Sequence, residues 1–353
     1  MSNQDKVIVG ISIGDLNGIG GEVVLKTFED TRILEFCTPV IFGSMKSMTF
    51  FKKTLNLDMP LHGIDKISDL IHKKINVLNV WKEPVDIHYG KEEESIGVYA
   101  IKSLTEAVLA LKKSEIDVLV TAPINKSNVQ SKTFAFPGHT DYLAQELEGD
   151  SLMLLISETL KVGLLTDHVA VKDVPKTITR ELIDRKINII HNTMVQDFGI
   201  QKPKIAVLGI NPHNGDNGVI GDEDDKVLGP ALDNIRNNGK TIFGPYAADS
   251  FFGSGNYKNF DVVIAAYHDQ GLIPFKTLAF GSGVNFTAGL NKVRTSPDHG
   301  TAYDIAGTNS ANFESFREAV YSAIKIYKTR EGYEEMSVNP LKVSRKKRFV
   351  KKN

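Results

Sequence analysis

Three of the nine histidines stand at the ends of apolar runs of strand length. They are His168 in LLTDHV, His213 in GINPHNG and His268 in AAYHDQG. Neutral imidazoles bind divalent transition ions, and a site with three protein ligands keeps a coordination position open for substrate. The three residues are too far apart in the chain to form a local metal motif. Separately hydrogen-bonded loop histidines therefore remain an open alternative.

A glycine-rich segment, GDLNGIGG at residues 14–21, directly follows the first apolar run. Such a turn can cradle a phosphate, but the letters match neither GxGxxG nor GxxxxGK[ST], so a simple tight turn also stays open. The segment TAPINK at residues 121–126 likewise follows an apolar run. Ligands of open α/β sheets bind at the carboxyl ends of strands, so these polar segments are candidate site loops.

The elements that must position these residues alternate along the chain. Apolar, β-branched runs predict strands at residues 7–13, 39–42, 75–80, 117–120, 152–156, 162–165, 204–210 and 261–266. Helical periodicity predicts helices at residues 21–28, 95–112, 177–197, 222–237 and 311–327. Strands alternating with helices indicate an α/β fold, and uniformly apolar strands indicate a largely parallel sheet that is buried on both faces.

Length, charge and cysteine usage narrow the class of protein. The 353 residues favour two domains, and the net charge of −1 argues against nucleic acid as a partner. Residues 341–353 carry seven basic and no acidic residues, which leaves a charge of −8 on residues 1–340. The single cysteine, Cys37, can form no internal disulfide, and no apolar run is long enough for a membrane helix. We therefore expect a cytoplasmic protein that binds no membrane.

Eight segments together resemble the 4-hydroxythreonine-4-phosphate dehydrogenase (PdxA) family, and they follow one another in the family's order. They are GDLNGIGGE (14–22), TAPINK (121–126), FPGHTDYLA (136–144), LLTDHV (164–169), GINPHNGDNG (209–218), GPYAADSFF (244–252), AYHDQGLIPFK (266–276) and FGSGVNFTAGLNKVRTSPDHGTAYDIAG (280–307). The first segment departs from the GDPAGIGPE that is common in the family. This changes the stiffness of the loop more than its charge.

The resemblance implies a role for each site residue. The metal ligands would be His168, His213 and His268, in a cleft at the interface of a homodimer. The small phosphorylated substrate would be held by His139, Thr140, Lys276, Asn285 and Arg294. Asp249 and Asp269 match family positions near the substrate amine and the metal. Together with Lys126, they are the candidate catalytic residues.

A second resemblance concerns the cofactor and the fold. Residues 298–307, DHGTAYDIAG, are similar to the adenosine loop of the isocitrate and isopropylmalate dehydrogenases, and the first loop is similar to one that also faces their nucleotide. The implied cofactor-binding residues are Gly14, Asp15, His299, Gly300 and Asp304. A carboxylate such as Asp304 accepts hydrogen bonds from ribose hydroxyls and repels a 2′-phosphate, which favours NAD over NADP.

The same resemblance implies a two-domain isocitrate/isopropylmalate dehydrogenase-like fold with the active-site cleft between the domains. Residues 1–130 and 275–340 would build the first domain, with the nucleotide loops. Residues 131–274 would build the second domain, with the metal and dimer region. Residues 341–353 form a basic tail beyond the matched segments.

The implied reaction is NAD-dependent oxidation of 4-phosphooxy-L-threonine at C3, followed by decarboxylation to 3-amino-2-oxopropyl phosphate in pyridoxal 5′-phosphate (vitamin B6) biosynthesis. One divalent ion per site (Zn, Co, Ni or Mg) would act as Lewis acid, and Lys126 or Asp269 would be the base. The alternative is a dehydrogenase of a related phosphorylated four-carbon sugar acid, 4-phosphothreonate or 4-phosphoerythronate. A rival from another class is a non-redox protein that binds a metal or phosphate, for instance an acyl-phosphate transferase of related fold.

Overall fold

The computed structural model describes residues 6–131, 134–136 and 138–339. The strands are β1 Val7–Ser12, β2 Cys37–Gly43, β3 Leu61–Ile64, β4 Ile75–Asn79, β5 Val118–Thr121, β6 Gly149–Ile156, β7 Lys161–Leu164, β8 Ile205–Leu208, β9 Ile242–Tyr246, β10 Val262–Ala265, β11 Val284–Leu290 and β12 Val293–Pro297. The helices are α1 Gly20–Glu29, α2 Met45–Thr54, α3 Glu94–Lys112, α4 His139–Glu146, α5 Val174–Thr177, α6 Arg180–Gln196, α7 Gly229–Asn237, α8 Ala248–Gly253, α9 His268–Leu278 and α10 Glu314–Val338. The basic tail at residues 341–353 lies outside the described residues.

Within these ranges, twelve strands form one sheet in the order β3-β4-β2-β1-β5-β12-β11-β6-β7-β10-β8-β9. Each predicted strand is present, and the α/β class is confirmed. The sheet is parallel in both halves, as expected. In its centre, however, β11 runs antiparallel to both β12 and β6, and β6 runs antiparallel to β7. The first five strands and β12 occupy one half, β11 and β6 lie in the centre, and β7 to β10 occupy the other half. The sheet runs continuously between them, so the predicted division into two domains stays a prediction.

Helix α3 carries a polar side chain within its buried face. Its periodicity predicts a buried stripe of Val98, Ile101, Leu104, Val108 and Leu111; Leu104, Val108 and Leu111 are buried, whereas Val98 is 51% exposed. Ser103 is buried as well. The Ser103 hydroxyl donates to the carbonyl of Phe42 at 2.6 Å and accepts from the N–H of Ile13 at 2.9 Å. These bonds satisfy backbone groups at the ends of two strands and fix the rotation of the helix.

Helix α9 has no clear signal in the sequence, because Gly271 and Pro274 interrupt it. Packing overrides this weak propensity: Leu272 and Phe275 are buried against the sheet. A Cβ atom on Gly271 would lie 2.8 Å from the side chain of Val162 and 2.9 Å from that of Ala265. Glycine therefore lets the helix approach β7 and β10 closely, and this approach places His268 at the helix start beside the strand ends.

None of the helices in the described part of the chain is both long enough and apolar enough to cross a membrane.

Candidate active site

A cleft of about 320 Å³ opens where β5, β7, β10 and β12 end. Throughout, "the cleft" means the space lined by residues 121–124, 126, 138–141, 153, 155, 167, 168, 268, 272, 276, 285, 294 and 296–300. The predicted site residues that line it are Lys126, His139, Thr140, His168, His268, Lys276, Asn285, Arg294, His299 and Gly300. Six others do not line it in this chain: Gly14, Asp15, His213, Asp249, Asp269 and Asp304.

Arg294 is a buried cation at the base of the cleft, on strand β12. It is 2% exposed. Its Nη1 donates to Thr287 Oγ1 at 3.1 Å and its Nη2 donates to Thr121 Oγ1 at 2.5 Å, while its Nε has no partner among the residues that the structure describes. No ion pair within the described ranges includes it, and burial lowers its pKa to about 9. A buried guanidinium that contacts only neutral groups and opens on a cleft is suited to an anion.

Two further polar groups of the cleft are buried without a partner in the described part of the chain. His139 begins α4, and its Nε2 has no hydrogen bond; nor does Oδ1 of Asn285 on β11. Burial, and then the positive charges of Arg294 and Lys126, hold the pKa of His139 well below its usual value. The imidazole is therefore neutral at pH 7. Buried polar atoms normally have partners, so these atoms indicate where a polar ligand fits.

His168 and His268 lie side by side at the rim of the cleft. Their ring centroids are 5.9 Å apart, which lets both imidazoles reach one ion. Nδ1 of His268 lies 2.7 Å from Oδ1 of Asp269, a contact of the kind that orients a metal-binding histidine. The imidazole nitrogens of this pair are suitable ligands for a divalent ion.

His213 does not join that pair within one chain. It is exposed in a turn, Pro212–Gly215, in which His213 and Asn214 have φ angles of 52° and 55°. The turn is fixed from outside: Nδ2 of Asn214 donates to the carbonyl of Pro245 at 3.1 Å. Accordingly, no group of three metal-binding side chains comes together among residues 6–131, 134–136 and 138–339.

The predicted cofactor residues surround the segment 299–305 next to the cleft. Nε2 of His299 is buried without a partner, and Asp304 is exposed in the turn Tyr303–Ile305. An exposed carboxylate at this position fits a contact with ribose hydroxyls. Gly14 has a φ of 72°, and a Cβ atom there would lie 2.3 Å from the carbonyl oxygen of Pro123. Asp15 is completely buried, and its carboxylate bonds to Tyr303 rather than facing the cleft.

The candidate catalytic residues differ in their placement. Lys126 lines the cleft. Asp269 does not line the cleft, but it contacts His268, which does. Asp249 is exposed in the first turn of α8, which follows the edge strand β9. The structure therefore gathers Lys126 with the substrate residues and leaves Asp249 outside the cleft of this chain.

Sequence reasoning missed three carboxylates that line the cleft, namely Asp141, Asp167 and Asp298. Asp167 and Asp298 directly precede His168 and His299, so adjacency to predicted residues was the available signal. Burial raises the pKa of Asp298, and the Nζ atom of Lys276 donates to its backbone carbonyl at 3.2 Å. The cleft thus carries both cations and carboxylates.

Known proteins resemble the chain over almost all of its length. A family model described as pyridoxal phosphate biosynthetic protein PdxA matches residues 35–323. A relative from Bacteroides thetaiotaomicron named 4-hydroxythreonine-4-phosphate dehydrogenase, an oxidoreductase, is 45% identical over 341 residues, which cover 96% of this chain and 94% of the relative. A relative from Cupriavidus necator named D-threonate 4-phosphate dehydrogenase is 35% identical, and the match covers 89% of this chain and 95% of the relative.

The same likeness holds in three dimensions. The crystal structure of a 4-hydroxythreonine-4-phosphate dehydrogenase from Klebsiella pneumoniae superposes with a TM-score of 0.78 at 32% identity, and the match covers 92% of this chain and 100% of that one. The family predicted from the eight segments is therefore confirmed. The chain belongs to the PdxA family of pyridoxal phosphate biosynthetic proteins.

Proposed function

We propose that this chain oxidises 4-phosphooxy-L-threonine at C3 with NAD and that the resulting 3-keto acid loses carbon dioxide to give 3-amino-2-oxopropyl phosphate, a step of pyridoxal 5′-phosphate biosynthesis. The observation that carries the proposal is Arg294, a buried cation without an acidic partner in the described chain, at the base of a cleft whose rim holds two histidines. This arrangement suits a substrate with a phosphate at one end and a metal-binding hydroxyl at the other.

The phosphate end of the substrate lies against Arg294 in this proposal. The guanidinium supplies Nε as a free donor, and Lys276 at the cleft wall adds a second positive charge. Neutral His139 and Thr140 begin α4, where backbone N–H groups also favour an anion. Asn285 orients the substrate through its unpartnered amide oxygen.

The reacting end lies at His168 and His268. A bound divalent ion would supply a Lewis acid for the hydroxyl, and bound NAD would supply the hydride acceptor. His168 and His268 would hold the ion, and Asp269 fixes the ring of His268. His213 is proposed as the third ligand, although one chain alone does not bring it to the pair. Imidazole ligands suit zinc, cobalt or nickel more than magnesium.

Lys126 is the better placed of the two candidate bases for the hydroxyl proton. Its side chain lines the cleft, whereas Asp269 is exposed and already bonded to His268. His299, Gly300 and Asp304 are proposed to hold the nicotinamide cofactor, with Asp304 on the ribose. Asp249 keeps a catalytic role only if it reaches the cleft of another subunit.

A homodimer would complete such a site, and helix α9 with the residues directly after it offers the surface. Ile273 on α9 is 64% exposed, and Phe280, two residues after the helix ends, is 91% exposed. Large apolar side chains exposed together indicate an interaction surface. We propose that the enzyme is cytoplasmic and that two copies pack through α9 and the residues directly after it. We also propose two domains, one of residues 1–130 and 275–340 and the other of residues 131–274, with the cleft between them. Sedimentation of Phe280→Asp tests this, since a variant that still sediments as a dimer would exclude that surface.

The second candidate is oxidation of a phosphorylated four-carbon sugar acid, which the name of the Cupriavidus relative raises. Such substrates lack the amine. The carboxylates Asp141, Asp167 and Asp298 in the cleft favour a substrate that carries an ammonium group. For this reason the amino acid is the preferred substrate.

The deciding experiment measures NADH formation with 4-phosphooxy-L-threonine, 4-phospho-D-threonate and 4-phosphoerythronate. The enzyme is first treated with chelator, and single metals are then added back. We expect the highest kcat/KM with the amino acid and no turnover without metal. In parallel, His213→Ala should lose turnover and metal retention together. Higher kcat/KM with a sugar acid would establish the second candidate instead.

A further inference from the structure

A buried hydrogen-bonded group links the first loop of the chain to the segment that the proposed cofactor would contact. The Tyr303 hydroxyl donates to Asp15 Oδ2 at 2.8 Å. Nδ2 of Asn128 lies 3.4 Å from the same carboxylate oxygen and 3.2 Å from the Tyr303 hydroxyl. The other oxygen of Asp15 accepts the N–H of Asn17 at 2.9 Å. We call the buried residues Asp15 and Asn128 and the half-buried Tyr303 the buried triad.

Asp15 is held in place independently of Tyr303. It is completely buried, and its own N–H donates to the carbonyl of Pro123 at 3.0 Å. Asn128 belongs to the loop that follows β5, so two strand ends fix the triad. Burial, and then the hydrogen bond to Asp15, raise the pKa of Tyr303, so its hydroxyl stays protonated and donates.

The segment 299–305 needs such an anchor because its backbone is strained. Ala302 has φ 42° and ψ 58°, a left-handed conformation that is unfavourable for alanine. The N–H of Ile19 donates to the carbonyl of Thr301 at 3.0 Å on one side of Ala302. The Tyr303 hydroxyl is tied to Asp15 on the other side. The strained residue is thus held between two contacts to the first loop.

We propose that the buried triad positions segment 299–305 for cofactor binding, so that Asp15 and Tyr303 are positioning residues that do not touch the cofactor. The proposal rests on the proposed function, because it takes the cofactor to be NAD. The segment contributes His299 and Gly300 to the cleft and exposes Asp304. Releasing Tyr303 would let Ala302 relax, which would move these groups and weaken NAD binding while leaving the phosphate end unchanged.

The test compares Tyr303→Phe with a matched control, Tyr327→Phe. Tyr327 also donates to a carboxylate, that of Asp117 at 3.4 Å, but away from the cleft. A hydrogen bond to a charged group corresponds to roughly a tenfold or larger effect. We expect Tyr303→Phe to raise the Kd and KM for NAD about tenfold with an unchanged KM for 4-phosphooxy-L-threonine, and Tyr327→Phe to change neither.

Hydrogen exchange of the metal-loaded enzyme without NAD provides the second readout. Amides in 299–307 should exchange faster in Tyr303→Phe than in the wild type or in Tyr327→Phe. If Tyr303→Phe does not fold, Asp15→Asn replaces it in both measurements, and the same changes in amide exchange and in the Kd for NAD are expected. Unchanged exchange and an unchanged Kd for NAD, or an equal rise of both KM values, would overturn the positioning role. If the wild type binds no NAD, the proposed cofactor is wrong, and the exchange data alone decide whether the triad anchors the segment.

Discussion

Arg294 donates a 2.5 Å hydrogen bond from Nη2 to the hydroxyl of Thr121, a residue 173 positions earlier at the end of the neighbouring strand. The bond joins β12 to β5 inside the sheet, with both side chains buried. A neutral hydroxyl cannot compensate the charge of the guanidinium. Among the described residues Arg294 therefore has no charged partner, at the position where the proposed function requires a phosphate.

Replacing this cation should separate stability from binding. We expect Arg294→Met, without ligand, to have an unfolding free energy equal to the wild type or up to about 3 kcal/mol higher, because an uncompensated buried charge is removed. Inorganic phosphate should raise the Tm of the wild type and leave the Tm of the variant unchanged.

The KM of Arg294→Met for the substrate should rise about 100-fold above that of the wild type. Urea and thermal denaturation with and without phosphate measure the effects on stability, and the rate of NADH formation at varied substrate concentration measures KM. Lys292→Met, which removes an exposed cation just before the same strand, is the control. A phosphate-induced Tm shift in Arg294→Met would contradict the assignment.

The low pKa of His139 predicts a loss of stability in mild acid. The unfolded chain binds this proton near the ordinary pKa of about 6.5, whereas burial beside Arg294 and Lys126 keeps the folded imidazole neutral to lower pH. Below pH 6.5 the unfolded state therefore binds more protons, and the unfolding free energy falls by up to about 1.4 kcal/mol per pH unit. His139→Asn should lack this contribution. Urea denaturation of both proteins at pH 7 and pH 5.5 tests it; equal pH dependences would show that the histidine is protonated in the fold.

The thiol of Cys37 should not react with thiol reagents in the folded protein. Its thiol is buried, and burial raises its pKa to about 12. Because the thiolate is the reactive form, a disulfide reagent at pH 8 should label Cys37 only after the chain unfolds. Absorbance of the released thiol in native buffer and in guanidinium chloride measures this. Rapid stoichiometric labelling in native buffer would show that β2 opens readily.

The ion pair of Arg330 and Asp197 should be a major contact between α10 and the end of α6. Nε of Arg330 donates to Oδ1 of Asp197 at 2.7 Å and Nη2 donates to Oδ2 at 3.1 Å, while the side chain of Asp197 is 3% exposed. Arg330→Met leaves a buried carboxylate unpaired, so we expect a loss of about 3 kcal/mol in urea denaturation. The double variant Arg330→Met/Asp197→Asn should regain part of the lost unfolding free energy, because the unpaired charge of the Asp197 carboxylate is then removed. A loss of equal size in the double variant would mean that packing of the arginine stem dominates.

Removing the basic tail should leave catalysis unchanged. Residues 341–353 lie beyond the matched residues 35–323 and carry seven positive charges. A chain that ends at residue 340 should have the kcat and KM of the full chain. A large loss of turnover would assign the tail a part in the reaction.

The predicted and the missed elements differ for a physical reason. Uniformly apolar, β-branched runs such as β1 and β2 are buried on both faces, so composition alone predicts them. Strands β11 and β12 were missed because Asn285 and Arg294 interrupt their apolar pattern. Both are cleft residues, and functional sites are where local patterns break. Helix α9 was missed because its glycine and proline oppose helix formation and only packing compensates.

The amino-acid sequence by itself determined the α/β class, the family and the types of side chain available for the site, because apolar periodicity and ordered segments are local properties of the chain. Only the tertiary structure decided how these side chains meet. Within the described part of the chain it leaves Arg294 without a counter-charge, brings His168 to His268 but not to His213, and turns Asp15 away from the cleft toward Tyr303. These relationships join residues up to 288 positions apart, and strand register and packing, which no local pattern encodes, set them.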